Sequence, residues 1–271
     1  MSKFESLKQL NVPKDEVLDQ RHQKLYRSMV GMIGWCTSVS RPDKAAHATL
    51  LSMKLGKATL ADARQADRVL RNLRDSPQTV LFSNLGDVKE LSLECWGDSS
   101  YGKFIPGQTV NGAVTFIKGS NGKMNVLDWC SKKLDVPVGS PLAGEVEAAL
   151  EAYGRIKWMR SLMTDSTGQD LIPAAIITDS KSLLDSVANC NMVKDKRSLV
   201  GISTLRAVPE HDDTQIVWVA GKDNLADHLT KTGTNVELFR NVLETGSYKC
   251  DKQIALCDIQ DPHVREINVQ F

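Results

Sequence analysis

Four acidic residues stand where buried strands and helices do not favour charge: Asp98, Glu145, Asp179 and Asp227. Asp98 closes the run LECWGD, Asp179 follows AAIIT, and Asp227 lies in the apolar stretch NLADHL. Glu145 belongs to LAGEVEAAL, where helical spacing puts it on the face of Leu142 and Ala149, away from Glu147 and Glu151. A fold that gathers such carboxylates must either leave protons on them or neutralise them with divalent cations. Carboxylates that clamp paired metal ions are how two-metal hydrolases cut phosphodiester bonds.

Each acid also has a plain structural account. Asp98 can start a turn, Glu145 can favour a helix dipole, and Asp179 and Asp227 can lie at helix starts as caps. Two neighbours lean against the last of these. Ser180 can cap in place of Asp179, and Asp223 is better placed to cap than Asp227.

The chain has 271 residues, enough for a sizeable core and for two compact units. Charged residues make up 25% and hydrophobic ones 41%, an ordinary globular composition. With a net charge of +1, affinity for a polyanion has to come from local basic patches. Between residues 41 and 74 eight bases accompany three acids, and Arg64, Arg68 and Arg71 share one helix face. That face is either a solvated surface or a phosphate-tracking strip, with Lys132, Lys133, Lys194, Lys196 and Arg197 as further contacts. Six cysteines form no CxxC pair and no cluster with histidine, against structural zinc and a disulfide framework; Cys95 and Cys130 read as buried thiols. The opening MSKFESLKQL has no signal-peptide core and no stretch approaches a membrane span. The expectation is a soluble protein of a reducing compartment that needs no membrane.

The elements that must position the acids change character along the chain. Residues 1–20 form a polar lead-in. Residues 21–77 read as helices, with Leu25, Met29, Met32, Ile33 and Cys36 at helical spacing in the first. Asp43 is placed to cap a second helix and Thr59 a third, whose stripe is Ala63, Ala66, Leu70 and Leu73. Beyond Pro77 come short β-rich runs, TVLFS, KELSLECWG, NGAVTFIKG and KMNVLDWCS, with a tight-turn signal at Asn121-Gly122. A helix over about Pro141 to Met163, a strand PAAIIT, two helices, a strand QIVWVA and a helix from about Asp223 to Lys231 follow. Hairpin-linked strands followed by alternating helices and strands describe a mixed α/β sheet. Residues 233–271 read as one more helix and a polar tail. Trp96, Trp129, Trp158 and Trp218 fall inside these elements and read as core.

With an acid at each of the four places, this order of elements resembles ribonuclease H. WGDSSYG, LDWCSKK, SPLAGEVEAALEA, ITDSKSLL and GKDNLADHLTK, together with YRSMVGMIGWCTSVSRPDKAAHATLLS upstream, are similar to the C-terminal end of a copia-type retrotransposon Pol polyprotein. The likeness covers roughly residues 25 to 232. It implies a ribonuclease H-like mixed five-stranded sheet flanked by helices over 78–232, preceded by a small helical connection-like domain over 21–77. Departures are the missing Tyr-x-Asp-Asp motif of a reverse transcriptase palm, Ser100 for a second acid of the first-strand motif, and Leu142-Ala143 for a Thr-Glu pair.

The resemblance further implies hydrolysis of the RNA strand of an RNA–DNA hybrid. Asp98, Glu145, Asp179 and Asp227 would hold two Mg²⁺ ions, or Mn²⁺ in their place, with Asp98 touching both. It implies a reverse transcriptase domain of the same polyprotein as partner, and the cytoplasm, a retroelement particle or the nucleus as location. Two alternatives stay open: an idle or domesticated fragment that only binds hybrids, and a resolvase of the same fold. Where the family carries a catalytic histidine this chain has Ala220-Gly221-Lys222. His211 and His228 are the nearest candidates; His22, His47 and His263 read as residues without chemistry.

Overall fold

The computed structural model describes residues 13–102, 107–168, 172–189, 196–234, 236–250 and 253–256. The lead-in before residue 13, Lys194 and His263 lie outside the described residues.

Three helices come first: α1 (Gln20–Val39), α2 (Ala45–Ser52) and α3 (Leu60–Asp75). The expected Thr59 cap is present, and Asp62 returns its bond to complete a capping box. The buried stripe of α1 is Tyr26, Met29, Val30 and Ile33, and Met32 is exposed, contrary to expectation. Tyr26 sets that rotation, because its hydroxyl donates to the Leu51 carbonyl at 2.7 Å and draws its side of α1 onto α2. These residues pack on Leu51, Leu60, Ala63, Ala66 and Val69 as one apolar cluster.

Asp43 does not cap α2; Lys44 holds the cap position without a side-chain bond. The Asp43 side chain is instead fully buried and paired with Arg41 at 2.8 Å and Arg240 at 2.9 Å. A carboxylate that can meet two guanidinium groups gains more than it would from one helix N–H.

Six strands follow: β1 (Ser92–Tyr101), β2 (Thr109–Lys118), β3 (Met124–Lys133), β4 (Ala174–Thr178), β5 (Thr214–Val219) and β6 (Gln253–Ala255). They form one sheet in the order β3-β2-β1-β4-β5-β6. The first three are antiparallel, β4 and β5 run parallel to β1, and β6 is antiparallel to β5. This is the ribonuclease H-like mixed sheet the resemblance implies, with β6 from the tail as a sixth strand. Gly122, with φ of 75°, makes the β2–β3 turn where Asn121-Gly122 foretold it.

TVLFS is not a strand. Asn125 accepts from Ser83 N at 2.7 Å and donates to Ser83 O at 2.9 Å. One side-chain amide therefore takes the backbone groups that a ladder would have used.

Long α4 (Pro141–Thr167), with α5 (Lys181–Ala188) and α6 (Lys196–His211), covers one face, burying Leu93, Cys95, Val146, Ile156, Ile176 and Leu205. The short α7 (Asp227–Thr230) and α8 (Glu237–Thr245) cover the other, over Trp96, Val114, Phe116 and Ile177. The helix expected from Asp223 to Lys231 is thus a 3₁₀ turn and this short α7. Trp158 is 58% exposed rather than core, because its neighbours Ile156 and Met159 take the sheet side of α4. The helical layer meets the sheet through Trp129, whose indole donates to Thr37 O at 2.7 Å, and Thr49, which donates to Ser131 O at 2.7 Å.

Candidate metal centre

Alternation along β1 places Leu93 and Cys95 against α4 and turns Trp96 and Asp98 to the opposite face. Asp98 is 1% exposed, and its partner across the β1–β2 ladder is Gly112. A Cβ on Gly112 would come within 2.6 Å of the Leu229 Cβ and 2.9 Å of Thr230 Cγ2. The missing side chain lets α7 lie directly on the sheet, and this brings Thr230 and Lys231 to Asp98.

A second glycine does the same for Glu145. A Cβ on Gly144 would stand 2.5 Å from Ser99 Oγ, so glycine lets the first turns of α4 rest on β1 without turning that hydroxyl aside. Ser140 caps that helix, accepting from Ala143 N at 3.1 Å, and Pro141 opens it. Asp179 leaves the carboxyl end of β4, where open α/β sheets build their sites. Ser180 caps α5 by accepting from Leu183 N at 3.2 Å, so Asp179 is free of that task. Asn224 holds Asp179 in place, donating to its Oδ1 at 3.0 Å and to Gly97 O at 3.1 Å.

One oxygen each from Asp98, Glu145 and Asp179 lies within 4.8 Å of the others. Burial, reinforced by the charges of Asp98 and Asp179, pushes the Glu145 carboxyl up to about 9. Asp98 is also raised, first by burial and then by Asp179 and Asp227, with Lys231 and Thr230 pulling the other way. Glu145 Oε2 is buried without a hydrogen-bond partner, a costly state for a carboxylate oxygen. Oxygen donors grouped this closely, with one of them unsatisfied, suit a hard divalent cation such as Mg²⁺ or Mn²⁺.

The fourth acid is placed differently. Asp227 is joined to the cluster through Lys231, whose ammonium donates to Asp227 and stands 3.3 Å from Asp98 Oδ2 and 3.4 Å from Asp98 Oδ1. Thr230 also donates to Asp98 Oδ2. Burial opposes the charge on Lys231, but Asp98, Asp227 and Asp179 outweigh it and raise the ammonium above its ordinary value. Lys231, Thr230 and Asn224 were not singled out in the sequence. Signals for the first two were there: a glycine inside strand β2, and a lysine four residues after Asp227.

The histidine candidates do not join the site. His228 is buried and stacked on Phe239 with ring centroids 3.8 Å apart, and burial holds its imidazole down to about 3. His211 ends α6 before β5 begins, at the opposite end of the parallel strands from Asp179. Arg64, Arg68 and Arg71 are exposed on α3, with Arg71 paired to Asp67 at 2.7 Å. Lys132 pairs with Glu151 at 2.5 Å, and Lys133 lies two strands from Ser100, roughly 10 Å by strand spacing.

Comparison with known proteins adds a relative. Over 128 residues the chain is 32% identical to a putative transposon Ty5-1 protein of Saccharomyces cerevisiae. The chain is similar to a putative transposon protein over less than half of its length. That match takes in 46% of this chain and 39% of the yeast protein, so the chain spans well under half the length of the curated relative it matches. No family model matches.

Among solved structures, a ribonuclease H1 isolated from compost aligns at 15% identity and TM-score 0.39, over 51% of this chain and 92% of that one. The N-terminal ribonuclease H domain of a Mycobacterium tuberculosis protein aligns at 19% identity and TM-score 0.37, over 52% and 91%. A foamy viral protease-reverse transcriptase solved with dsDNA aligns at 16% identity and TM-score 0.34, over 57% and 99%. The chain's own strand order, β3-β2-β1-β4-β5-β6, defines its mixed sheet. No described helix is long and apolar enough to cross a membrane.

Proposed function

We propose that the chain hydrolyses the RNA strand of RNA–DNA hybrids, as the ribonuclease H part of a copia-type retroelement polyprotein. The observation that carries this reading is the group of three carboxylates, one from β1, one from α4 and one from the end of β4, with Glu145 Oε2 buried and unpartnered among them. Asp98, Glu145 and Asp179 would hold one divalent ion, and Asp98 with Asp227 would flank a second. Ions bound there supply Lewis acidity to a phosphate and make a water easier to deprotonate. Asp98 and Glu145 are poorly solvated by their surroundings, so an arriving cation meets oxygens with few competing partners. Asn224 keeps Asp179 aimed at the cluster by tying it to the backbone of β1.

In this reading the helical unit over 21–77 and the ribonuclease H unit over 78–232 share one nucleic acid. Arg64, Arg68 and Arg71, with Lys132 and Lys133 nearer the acids, follow its phosphates. The 2′-hydroxyls of the RNA strand are what such a site must read to spare DNA. A reverse transcriptase domain of the same polyprotein would present the hybrid. The reading that the chain binds hybrids without cutting draws on the Lys231 ion pairs, which already neutralise part of the cluster.

Labelled RNA–DNA hybrid incubated with the purified chain separates these readings. Cleavage in Mg²⁺ that stops in EDTA and in Asp98→Asn is the expected result. Tight binding without cleavage favours the binding protein, and cutting of a DNA junction favours a resolvase.

A further inference from the structure

Helix α1 carries an outward face that its own fold leaves bare. Tyr26, Met29, Val30 and Ile33 turn inward, whereas Met32 and Val39 are exposed beside Trp35, which at 68% is the most exposed tryptophan of the chain. Lys24, Ser28, Gly31 and Trp35 follow one another along this face at helical spacing, all exposed. Gly31 weakens the helix relative to alanine. Intrachain packing does not call for it, since a Cβ there would meet no described atom within 4 Å, unlike one on Gly112 or Gly144. A notch at Gly31 therefore lies one turn before the indole of Trp35.

The charges of α1 are sorted along its length. Arg21, Lys24 and Arg27 are exposed in its first half, and the helix contains no acid. Its last turn has no base to meet the partial negative charge of the carboxyl end. Arg41, just beyond, is engaged with Asp43 and the Leu73 carbonyl. A parallel copy of this helix would set base against base, and an antiparallel copy sets each basic half on the other's carboxyl end. Nucleic acid suits the face less well. Lys24 lies roughly 16 Å along the axis from Trp35, so a base stacked on the indole would leave its phosphates beside Gly31 and Ser38 rather than beside a cation.

We propose that this face joins two copies of the chain, α1 lying antiparallel to the α1 of a second copy about a two-fold axis level with Ile33. That axis sets Trp35 over Gly31 of the second copy and Ser38 beside its Ser28, and brings the two Met32 side chains together. Each unlike contact occurs twice, as an isologous interface requires. Lys24 then reaches the carboxyl end of the opposite helix. A tryptophan seated in a notch near the centre of a patch is the kind of residue that dominates binding. Three large apolar side chains from each copy make a small patch, so the expected dimer is a reversible one in the micromolar range.

Sedimentation velocity of the whole chain over a series of concentrations tests the proposal, with thermal melts to report folding. Wild type should pass from monomer to dimer as concentration rises. Trp35→Ala and Gly31→Leu should each weaken the dimer by about tenfold or more. Gly31→Leu is the sharper variant, because leucine favours the helix and has open space around its Cβ, so its melting temperature should hold or rise while the dimer is lost. Trp158→Ala removes the other exposed tryptophan, on α4, and should leave the dimer intact. A wild type that stays monomeric throughout overturns the proposal. So does a dimer that survives either α1 substitution in a folded protein, or one that Trp158→Ala abolishes. A single-stranded oligonucleotide that quenches Trp35 fluorescence in a persistently monomeric wild type would overturn it in favour of nucleic acid.

Discussion

Asp43 and Asp98 are both buried carboxylates, and their surroundings treat them in opposite ways. Burial works against the charge on Asp43, but hydrogen bonds from Arg41 and Arg240, with Lys44 close by, outweigh it and hold the carboxyl below its usual range. Asp98 has one ammonium and one hydroxyl for company, and burial first, then Asp179 and Asp227, push its carboxyl up. Asp43 joins α8 to the start of α2 and closes the helical layer against the sheet. A buried acid with its cations supplied serves the fold, whereas one left short of cations is poised for a ligand.

The sharpest way to test that contrast is to remove each charge in turn. Asp98→Asn should cut hydrolysis of an RNA–DNA hybrid by about 10³-fold or more, since each such ligand serves several kcal/mol of charge stabilisation. Its melting temperature should hold or rise, because a charge that burial disfavours disappears while Lys231 keeps its pair with Asp227. Asp43→Asn should do the reverse, costing about 3 kcal/mol in urea unfolding by stranding Arg41 and Arg240, with per-molecule activity of the folded fraction kept. A destabilised Asp98→Asn with an unaffected Asp43→Asn would erase the distinction.

Glu145 offers a gentler probe on the same side of the comparison. Its folded carboxyl is raised to about 9, above the unfolded value of 4.5. Between those two values the unfolded chain has lost the proton that the folded chain keeps, so stability falls as pH rises through that window. Glu145→Gln in EDTA should therefore melt higher than wild type at pH 8, by roughly 2–4 °C for each kcal/mol relieved. The gain should vanish below about pH 4.5, where both states hold the proton. An equal gain at pH 4 would mean that packing, and not charge, is responsible.

The helical side should show its own, smaller pH dependence. Burial, then the Lys44 charge, holds His47 down to about 4, below its ordinary 6.5, although Asp43 pulls the other way. The unfolded chain binds the proton first as pH falls, so stability drops from about 6.5 toward 4. His47→Gln should flatten that slope by up to about 1 kcal/mol per pH unit, measured as urea midpoints between pH 4 and 7. An unchanged slope would assign the acid sensitivity to His228, which burial holds neutral on α7.

Much of the frame could be read directly, because it rests on local rules. Helical periodicity, the Thr59 cap, the Asn121-Gly122 turn and the buried AAIIT strand all follow from neighbours in the chain. Misreadings occurred where a distant partner changed a local preference. Asn125 took the backbone of TVLFS, Arg240 helped to draw Asp43 away from a cap, and β5 gave the tail a strand to pair with. Within the site, the four acids were legible as charges in apolar runs, and Ser180 was legible as the cap that frees Asp179.

The amino-acid sequence alone determined which side chains could coordinate a cation and which strands and helices would carry them, since both depend on residue type and short-range periodicity. Only the tertiary structure decided how the acids are shared. It drew Asp98, Glu145 and Asp179 together, and it put Lys231 between Asp98 and Asp227. That division depends on how closely α4 and α7 approach the sheet at Gly144 and Gly112, a matter of steric contact between residues far apart in the chain.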